Sequence, residues 1–220
     1  YTTSLALCSE NTVLWNRKQI LSVPEGHRGL RQQEAVFQHI QNLPKISGTA
    51  LPSGQVAAVG VSVRPRNAEG SYMPCFTVGE SFANVSASFF NVPVFSFSHQ
   101  QGHIAAGLFS SGRQDLLNQR FLAFHLSGGT TELLLADGID HISVLCASDD
   151  ITFGQLIDRT GVLLELPFPC GKALDDIFSA DIPLIEKPHF SFHAGNLSLS
   201  GFENKIRSFL EKGISKDKIV

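Results

Sequence analysis

The sequence predicts an α/β protein of two lobes, each a mixed sheet flanked by helices, with the second lobe incomplete. Three observations carry this. A three-stranded meander followed by a helix reads twice, over residues 3–44 and again over residues 121–166. Strand-like and helix-like stretches alternate between the two copies. The chain of 220 residues is 43% hydrophobic, enough for a substantial core. The two copies share little sequence, so the repeat is one of architecture. The lobes are expected over residues 1–112 and 113–220, with a cleft between them.

Each element has its own signal. Thr3 to Cys8 is a short apolar run, and "SENT" (9–12) has turn chemistry. Val13–Asn16 and Gln19–Val23 read as two further short strands. "PEGHRG" (24–29) breaks the pattern. Leu30, Ala35, Phe37 and Ile40 then recur at roughly helical spacing up to Pro44, where a helix is expected to end. Gln55–Val63 is apolar and β-branched, the pattern of a strand buried on both faces. Residues 77–90 read as a helix, Pro93–Phe97 as a strand, and His99–Phe109 as a helix closed by "SSG" (110–112). Phe121–Leu126, Thr131–Ala136 and His141–Cys146 form the second meander, with turns at "SGG" (127–129) and "DGID" (137–140). A helix follows over residues 151–166, then a tight turn at Pro169–Cys170–Gly171 before another helix. Residues 196–206 read as a short alternating segment, a turn at Gly201 and a helix.

Composition narrows the function classes. The net charge is −3 with no basic block, so nothing advertises direct nucleic-acid binding. The four cysteines form no CxxC pair; Cys8 and Cys146 lie in apolar runs and read as buried thiols. A reducing, cytoplasmic compartment is expected, with neither a disulfide framework nor a cysteine–zinc site. No run approaches the ~20 apolar residues of a membrane span, and no signal peptide is visible. The chain opens at Tyr1 directly on a strand-like run and stops at "KGISKDKIV" without a closing element. Both ends are therefore expected to be cut.

Three segments carry chemistry. In "SHQQGH" (98–103), Ser98 and Gln101 fit a capping box, and His99 and His103 stand one turn apart on one helical face. The positive end of a helix dipole disfavours their protonation, and neutral imidazole is the ligand form. The spacing admits a metal site or simply a capped helix with two polar histidines. A metalloprotease would need glutamate where Gln100 stands, and two histidines leave a catalytic metal short of ligands. In "HLSGGTTEL" (125–133), two strands meet at Ser127–Gly128–Gly129–Thr130. Paired glycines allow positive φ and close backbone approach, which suits either a phosphate cradle or an ordinary hairpin. Asp158 lies inside an apolar helix, either for a ribose hydroxyl or for a local partner such as Arg159.

Taken together and in order, these pieces resemble the tRNA threonylcarbamoyladenosine synthases, a family long described as O-sialoglycoprotein endopeptidases or glycoproteases. "SHQQGHIAA" looks like that family's HxEGH metal segment. "LSGGTTELL" looks like its VSGGHTQL phosphate hairpin, and "GQLIDRTGVLLELPFPCG" like its GEAFDKxAxLLGLxYPGG helix and turn. "LSLSGFENK" looks like its FSFSGLKT. The resemblance covers about residues 1–210. It implies the two-lobed actin-like, ribonuclease H-like fold. It implies that His99 and His103 ligate iron or zinc, and that Leu126, Ser127, Gly128, Gly129 and Thr130 hold an adenine nucleotide or threonylcarbamoyl-adenylate. Asp158 would contact the ribose and Gly171 would line the same pocket. The implied activity is transfer of a threonylcarbamoyl group from that adenylate to an adenosine amine in tRNA. The implied partners are a paralogous subunit, the ATPase of the modification complex and, through the complex, tRNA.

The sequence also departs from the pattern. Tyr1 and Thr2 stand where the family carries two acidic residues, and Arg64–Pro65–Arg66 stands for its GPG loop. Thr130 replaces the hairpin histidine. The third metal ligand, an aspartate, and a nucleotide-contacting asparagine would lie beyond residue 220. Lost acidic residues fit a non-catalytic paralogue serving as a dimerisation partner, whereas the retained histidines fit an enzyme. A glycoprotein endopeptidase and an actin-like kinase are the remaining readings. Gln100 counts against the first, and a kinase would not need the His-x3-His segment.

Overall fold

The computed structural model describes residues 2–10, 12–23, 30–48, 56–178, 181–183 and 185–219. The protein is mixed α/β and divides into two compact units, Tyr1–Gln114 and Asp115–Val220. The expectations placed on Tyr1, Asn11, "PEGHRG" and Gln55 fall outside the described residues.

The first unit opens with an antiparallel hairpin of β1 (Thr2–Ser9) and β2 (Thr12–Ile20). The two short strands expected over 13–23 are therefore one, and the first meander is a two-stranded hairpin. Arg17 and Lys18 pair with Leu5 and Ser4, and no glycine or proline interrupts them. Helix α1 (Gln32–Ser47) packs on β1. It runs through Pro44 rather than ending there. Proline removes one amide donor, but Ile46 is buried in the next turn and Arg17 Nη1 donates to the Ile46 and Ser47 carbonyls. The residues of β1 alternate between the two faces of the hairpin. Thr3 is buried, whereas Thr2, Ser4, Ala6 and Cys8 are exposed; Cys8 is thus not a buried thiol.

Strands β3 (Val59–Arg64) and β4 (Val94–Ser98) form a separate parallel pair, joined through α2 (Phe76–Phe90). Residues of β3 are half-buried rather than enclosed, and residues 56–58 lie outside its ladder. Gly79 of α2 sits over Val61, and the buried Ala83 and Ala87 follow at the same spacing. Helix α3 (His99–Ser110) follows β4 without a loop and buries Ile104 and Leu108. Hydrogen bonds do not join β1 to β3. A cavity of about 1340 Å³ is lined by all of β1, by residues 56–62 and by side chains of α1 and α2, and His99 is part of its wall.

The second unit begins in a short 3-10 helix (Gln114–Asn118), which leads into the antiparallel meander β5 (Arg120–Leu126), β6 (Thr131–Asp137) and β7 (Ile142–Ala147). Leu134 and Ala136 of the central strand are fully buried. Helix α4 (Phe153–Leu163) starts two residues later than expected because Thr152 caps it. Helix α5 (Gly171–Ile177), a hairpin of β8 (Ser191–His193) and β9 (Asn196–Ser198), and helices α6 (Ser200–Glu211) and α7 (Lys216–Ile219) complete the unit. Gly201 lies in the first turn of α6, not in a turn before it. The unit's apolar centre is Leu164, Cys170 and Leu174, with Leu166, Leu210 and Ile219 packed against them. Instead of one mixed sheet per lobe, the described strands form four small sheets. Among the described residues no helix is long and apolar enough to cross a membrane.

Candidate functional site

The histidine segment is built by the start of α3. Ser98 has extended backbone, its hydroxyl accepts from the Gln101 amide (3.1 Å), and the Gln101 side chain accepts from the Ser98 amide (2.7 Å). The capping box is therefore closed, and Ser98 is fully buried. This fixes the first turn and sets His99 and His103 one above the other. Their Nε2 atoms lie 2.9 Å apart, and the Phe76 ring stands edge-on to His99. The Gln100 amide donates to the Pro65 carbonyl (3.1 Å), so the Arg64–Pro65–Arg66 loop is fastened directly to the histidine turn. That loop is braced in turn by Arg64 on Asn67 and by the Ser71 hydroxyl on the Arg66 amide.

The donor geometry bears on a metal. Two imidazole nitrogens bound to one zinc ion at about 2.0–2.1 Å stand roughly 2.9 Å apart when they meet it at a right angle, and roughly 3.3 Å at the tetrahedral angle. The observed separation suits an N–H···N bond between two tautomers or a cation met at a right angle, and is closer than tetrahedral zinc would set the two nitrogens. Among the described residues no three His, Cys, Asp or Glu side chains converge to hold a metal. The pair fits as part of a ligand set, not as a whole one.

The second group of expected residues lies in the β5–β6 hairpin, on α4 and at the start of α5. The hairpin between β5 and β6 is closed by the Ser127 amide donating to the Thr130 carbonyl (2.8 Å), and the Gly129 amide donates to Ser127 Oγ. Gly128 and Gly129 do not take positive φ, contrary to the reason the sequence offered for them. A Cβ at either would meet open space. The crowded glycine is Gly154, in the first turn of α4. A Cβ there would come within 2.6 Å of Gly128 Cα and 2.8 Å of the Ser127 carbonyl oxygen. Thr152 Oγ1 donates to the Gly128 carbonyl (2.9 Å), and the Phe153 amide donates to Thr131 Oγ1 (2.8 Å). The helix start thus lies directly against the hairpin.

Asp158 follows Gly154 by one turn, so the two share a face of α4. Its Oδ1 accepts from the Cys170 amide (2.9 Å), which places Gly171 immediately beside it. Asp158 does not pair with Arg159; Arg159 instead reaches Glu203 on α6 (2.9 Å). Glu203 also accepts from Arg207, and these two guanidinium partners hold its carboxyl below the usual carboxylate range. Burial, with the Asp158 charge, pushes the Cys170 thiol up and keeps it protonated. Gly161 gives Cys170 its room: a Cβ there would overlap the Cys170 side chain at 2.1 Å.

The sequence reading missed the loop that joins these parts. Asp149 and Asp150 precede α4, and Asp149 accepts from Asn196 Nδ2 (2.8 Å). Asp150 accepts from Ser198 and Ser200, in the "LSLSG" segment that carried no chemistry by itself. Burial opposes the Asp150 charge, but its hydrogen bonds from Leu199, Ser200 and Ile151 outweigh burial and hold the carboxyl far below its ordinary value. Two adjacent acids beside "TFGQ", which repeats the Ser98–Gln101 capping spacing, were the available signal.

Comparison with known proteins gives the family. Residues 27–217 match the family model described as tRNA N6-adenosine threonylcarbamoyltransferase. Proteins of that name from Christiangramia forsetii and Phocaeicola vulgatus are each 26% identical, covering 98% of this chain and 64% of their own length. One from Chromobacterium violaceum is 33% identical over 124 residues, 56% of this chain and 36% of its own. The chain spans less than two thirds of the length of the relatives that cover nearly all of it. With the family model covering most of the sequence and identities near a quarter, the chain belongs, as a divergent member, to the tRNA N6-adenosine threonylcarbamoyltransferase family.

Proposed function

We propose that the protein transfers a threonylcarbamoyl group from threonylcarbamoyl-adenylate to the adenosine amine of tRNA, on an actin-like two-lobed fold. The observation that carries the nucleotide half is the seating of α4. Gly154 lies against Gly128, Asp158 follows one turn on, and the Asp158 carboxylate holds the turn that begins Gly171. Residues expected from two separate motifs to meet one ligand are thereby brought to one helix, Asp158 on it and the hairpin and Gly171 against it. The Leu126–Thr130 hairpin would take the phosphate, Asp158 a ribose hydroxyl, and Gly171 would leave room beside them. His99 and His103 would hold iron or zinc, with a further ligand from outside the described residues. When bound, that metal would polarise the acyl donor. The attacking group is the tRNA amine, so no nucleophile from the chain is required. The reaction would take place in the cytoplasm, with a paralogous subunit and an ATPase as partners and tRNA engaged through the assembly.

A second reading is a non-catalytic paralogue. It is favoured by Thr130 in place of the hairpin histidine and by the Arg64–Pro65–Arg66 loop, which is fastened to the histidine turn. A proteolytic reading has no such support, because Gln100 is buried and offers no general base.

The deciding experiment supplies the protein and its partner proteins with threonine, bicarbonate, ATP and unmodified tRNA, and assays modified adenosine by mass spectrometry. Product that vanishes on Asp158→Ala is the expected result. A folded, nucleotide-binding protein that makes none would establish the paralogue reading. Metal analysis tests the ligands separately: the double change of His99 and His103 to Ala is expected to remove the bound metal, and unchanged metal content would refute the assignment.

A further inference from the structure

The carboxylate of Asp150 joins two distant stretches of chain. Its Oδ1 accepts from the Ile151 amide (2.7 Å), Ser148 Oγ (3.1 Å) and the Leu199 amide (2.9 Å). Its Oδ2 accepts from Ser198 Oγ (2.8 Å) and the Ser200 amide (2.9 Å). Two of these donors belong to its own loop, and three belong to the start of α6. Leu199 occupies the capping position of α6 and has no side-chain acceptor. Asp150 therefore serves as the helix cap from fifty residues away. A carboxylate there is also favoured by the positive end of the helix.

The same loop runs on without interruption into the hairpin contacts. Thr152 holds the Gly128 carbonyl, Phe153 holds Thr131, and Gly154 touches Gly128. On the other side, the Asp149 amide donates to the Leu197 carbonyl and the Ala147 amide donates to Asn196 Oδ1. The loop is pinned to β9 and α6 at one end and to the Ser127–Thr130 hairpin at the other.

We propose that Asp150 is a positioning residue for the ligand of the 127–130 hairpin: without touching that ligand, it fixes the loop whose next residues set the hairpin's shape. This rests on the reading of the hairpin as an adenine-nucleotide site. Asparagine keeps the shape of the side chain but turns one of its two acceptor atoms into a donor, so it cannot receive all five hydrogen bonds. A separate anchor of α6 provides the contrast. Glu203 ties α6 to Arg159 of α4, and both its hydrogen-bond partners, Arg159 and Arg207, lie on helices rather than on the loop or the hairpin.

The test measures ADP affinity by calorimetry and thermal stability for the wild type, D150N, S198A and E203Q, at a temperature where far-UV circular dichroism shows every variant folded. D150N is expected to weaken ADP binding tenfold or more. S198A, which removes one donor of the five, should weaken it by a few fold, and E203Q should leave it within twofold even where it lowers Tm. D150N with wild-type affinity overturns the proposal, and so does E203Q weakening ADP as much as D150N. If D150N does not fold, S198A decides by the same comparison. A wild type that binds no ADP refutes the nucleotide reading instead. Amide exchange then decides on positioning: D150N must speed exchange at Ser127 and Gly129 tenfold over that at the centre of β6, and equal rates overturn it.

Discussion

At the scale of the residue, Gly107 and Gly154 show how one substitution can have opposite signs. Both lie inside helices, where alanine is preferred over glycine by about 0.5–1 kcal/mol. Nothing lies within 4 Å of a Cβ at Gly107, so Gly107→Ala is expected to stabilise the protein by about that amount. At Gly154 the new methyl would meet the backbone of Ser127 and Gly128, which cannot rotate away. Gly154→Ala should cost about 1–3 kcal/mol, as overpacking does, and should displace the hairpin. Urea denaturation of the two variants checks both signs. This difference was not legible in the sequence, which displays a glycine but not its neighbour from another element. The histidine pair was legible, because its contact is local and follows from helical spacing alone. His39 offers a pH test at the same scale. Its Nδ1 lies 2.8 Å from Thr3 Oγ1, and burial lowers its pKa. The unfolded chain, with a histidine pKa of about 6.5, then takes up a proton that the folded chain resists. Stability should fall as pH drops from 7.5 to 5.5. His39→Gln should flatten that slope in Tm measured across the range, and an unchanged slope would remove His39 as its source.

At the scale of the element, capping decided where α3 and α4 began, and long-range contacts carried α1 past Pro44. The Ser98–Gln101 box was readable because serine and glutamine stand three apart before an apolar run. Thr152–Gln155 has the same spacing, but the apolar Ile151 concealed the true start of α4. The continuity of β2 and the passage of α1 through Pro44 were not readable. Each depends on contacts outside the element: pairing with β1 across the hairpin for the former, and Arg17 some thirty residues away for the latter. Loss of a capping side chain costs about 1 kcal/mol. Ser98→Ala and Thr152→Ala should both show it in thermal unfolding. Thr152→Ala also removes the hydroxyl that holds the Gly128 carbonyl. Its amide exchange at Gly129 should therefore rise beyond the global change, whereas Ser98→Ala should leave that amide at the global rate.

At the scale of the whole molecule, the order of motifs was more informative than any one of them. Four short segments, each ambiguous alone, fall within two compact units, and three of them meet around α4 and the loop before it. Their mutual contacts could not be read beforehand, because Asp150 and Gly154 act across twenty to fifty residues of chain. The core of the second unit permits a test of how far the two units fold separately. Leu164 is fully buried among Cys170 and Leu174. Leu164→Ala should leave a cavity and cost about 2–5 kcal/mol. Each unit has its own buried set, Ala83, Ala87, Ile104 and Leu108 in the first and Leu164, Cys170 and Leu174 in the second. The loss should therefore appear in the amide protection of β6, α4 and α6, while α1 and α2 keep theirs. Hydrogen exchange resolved by segment measures this directly. Equal loss in both units would show that they open together as a single folding equilibrium.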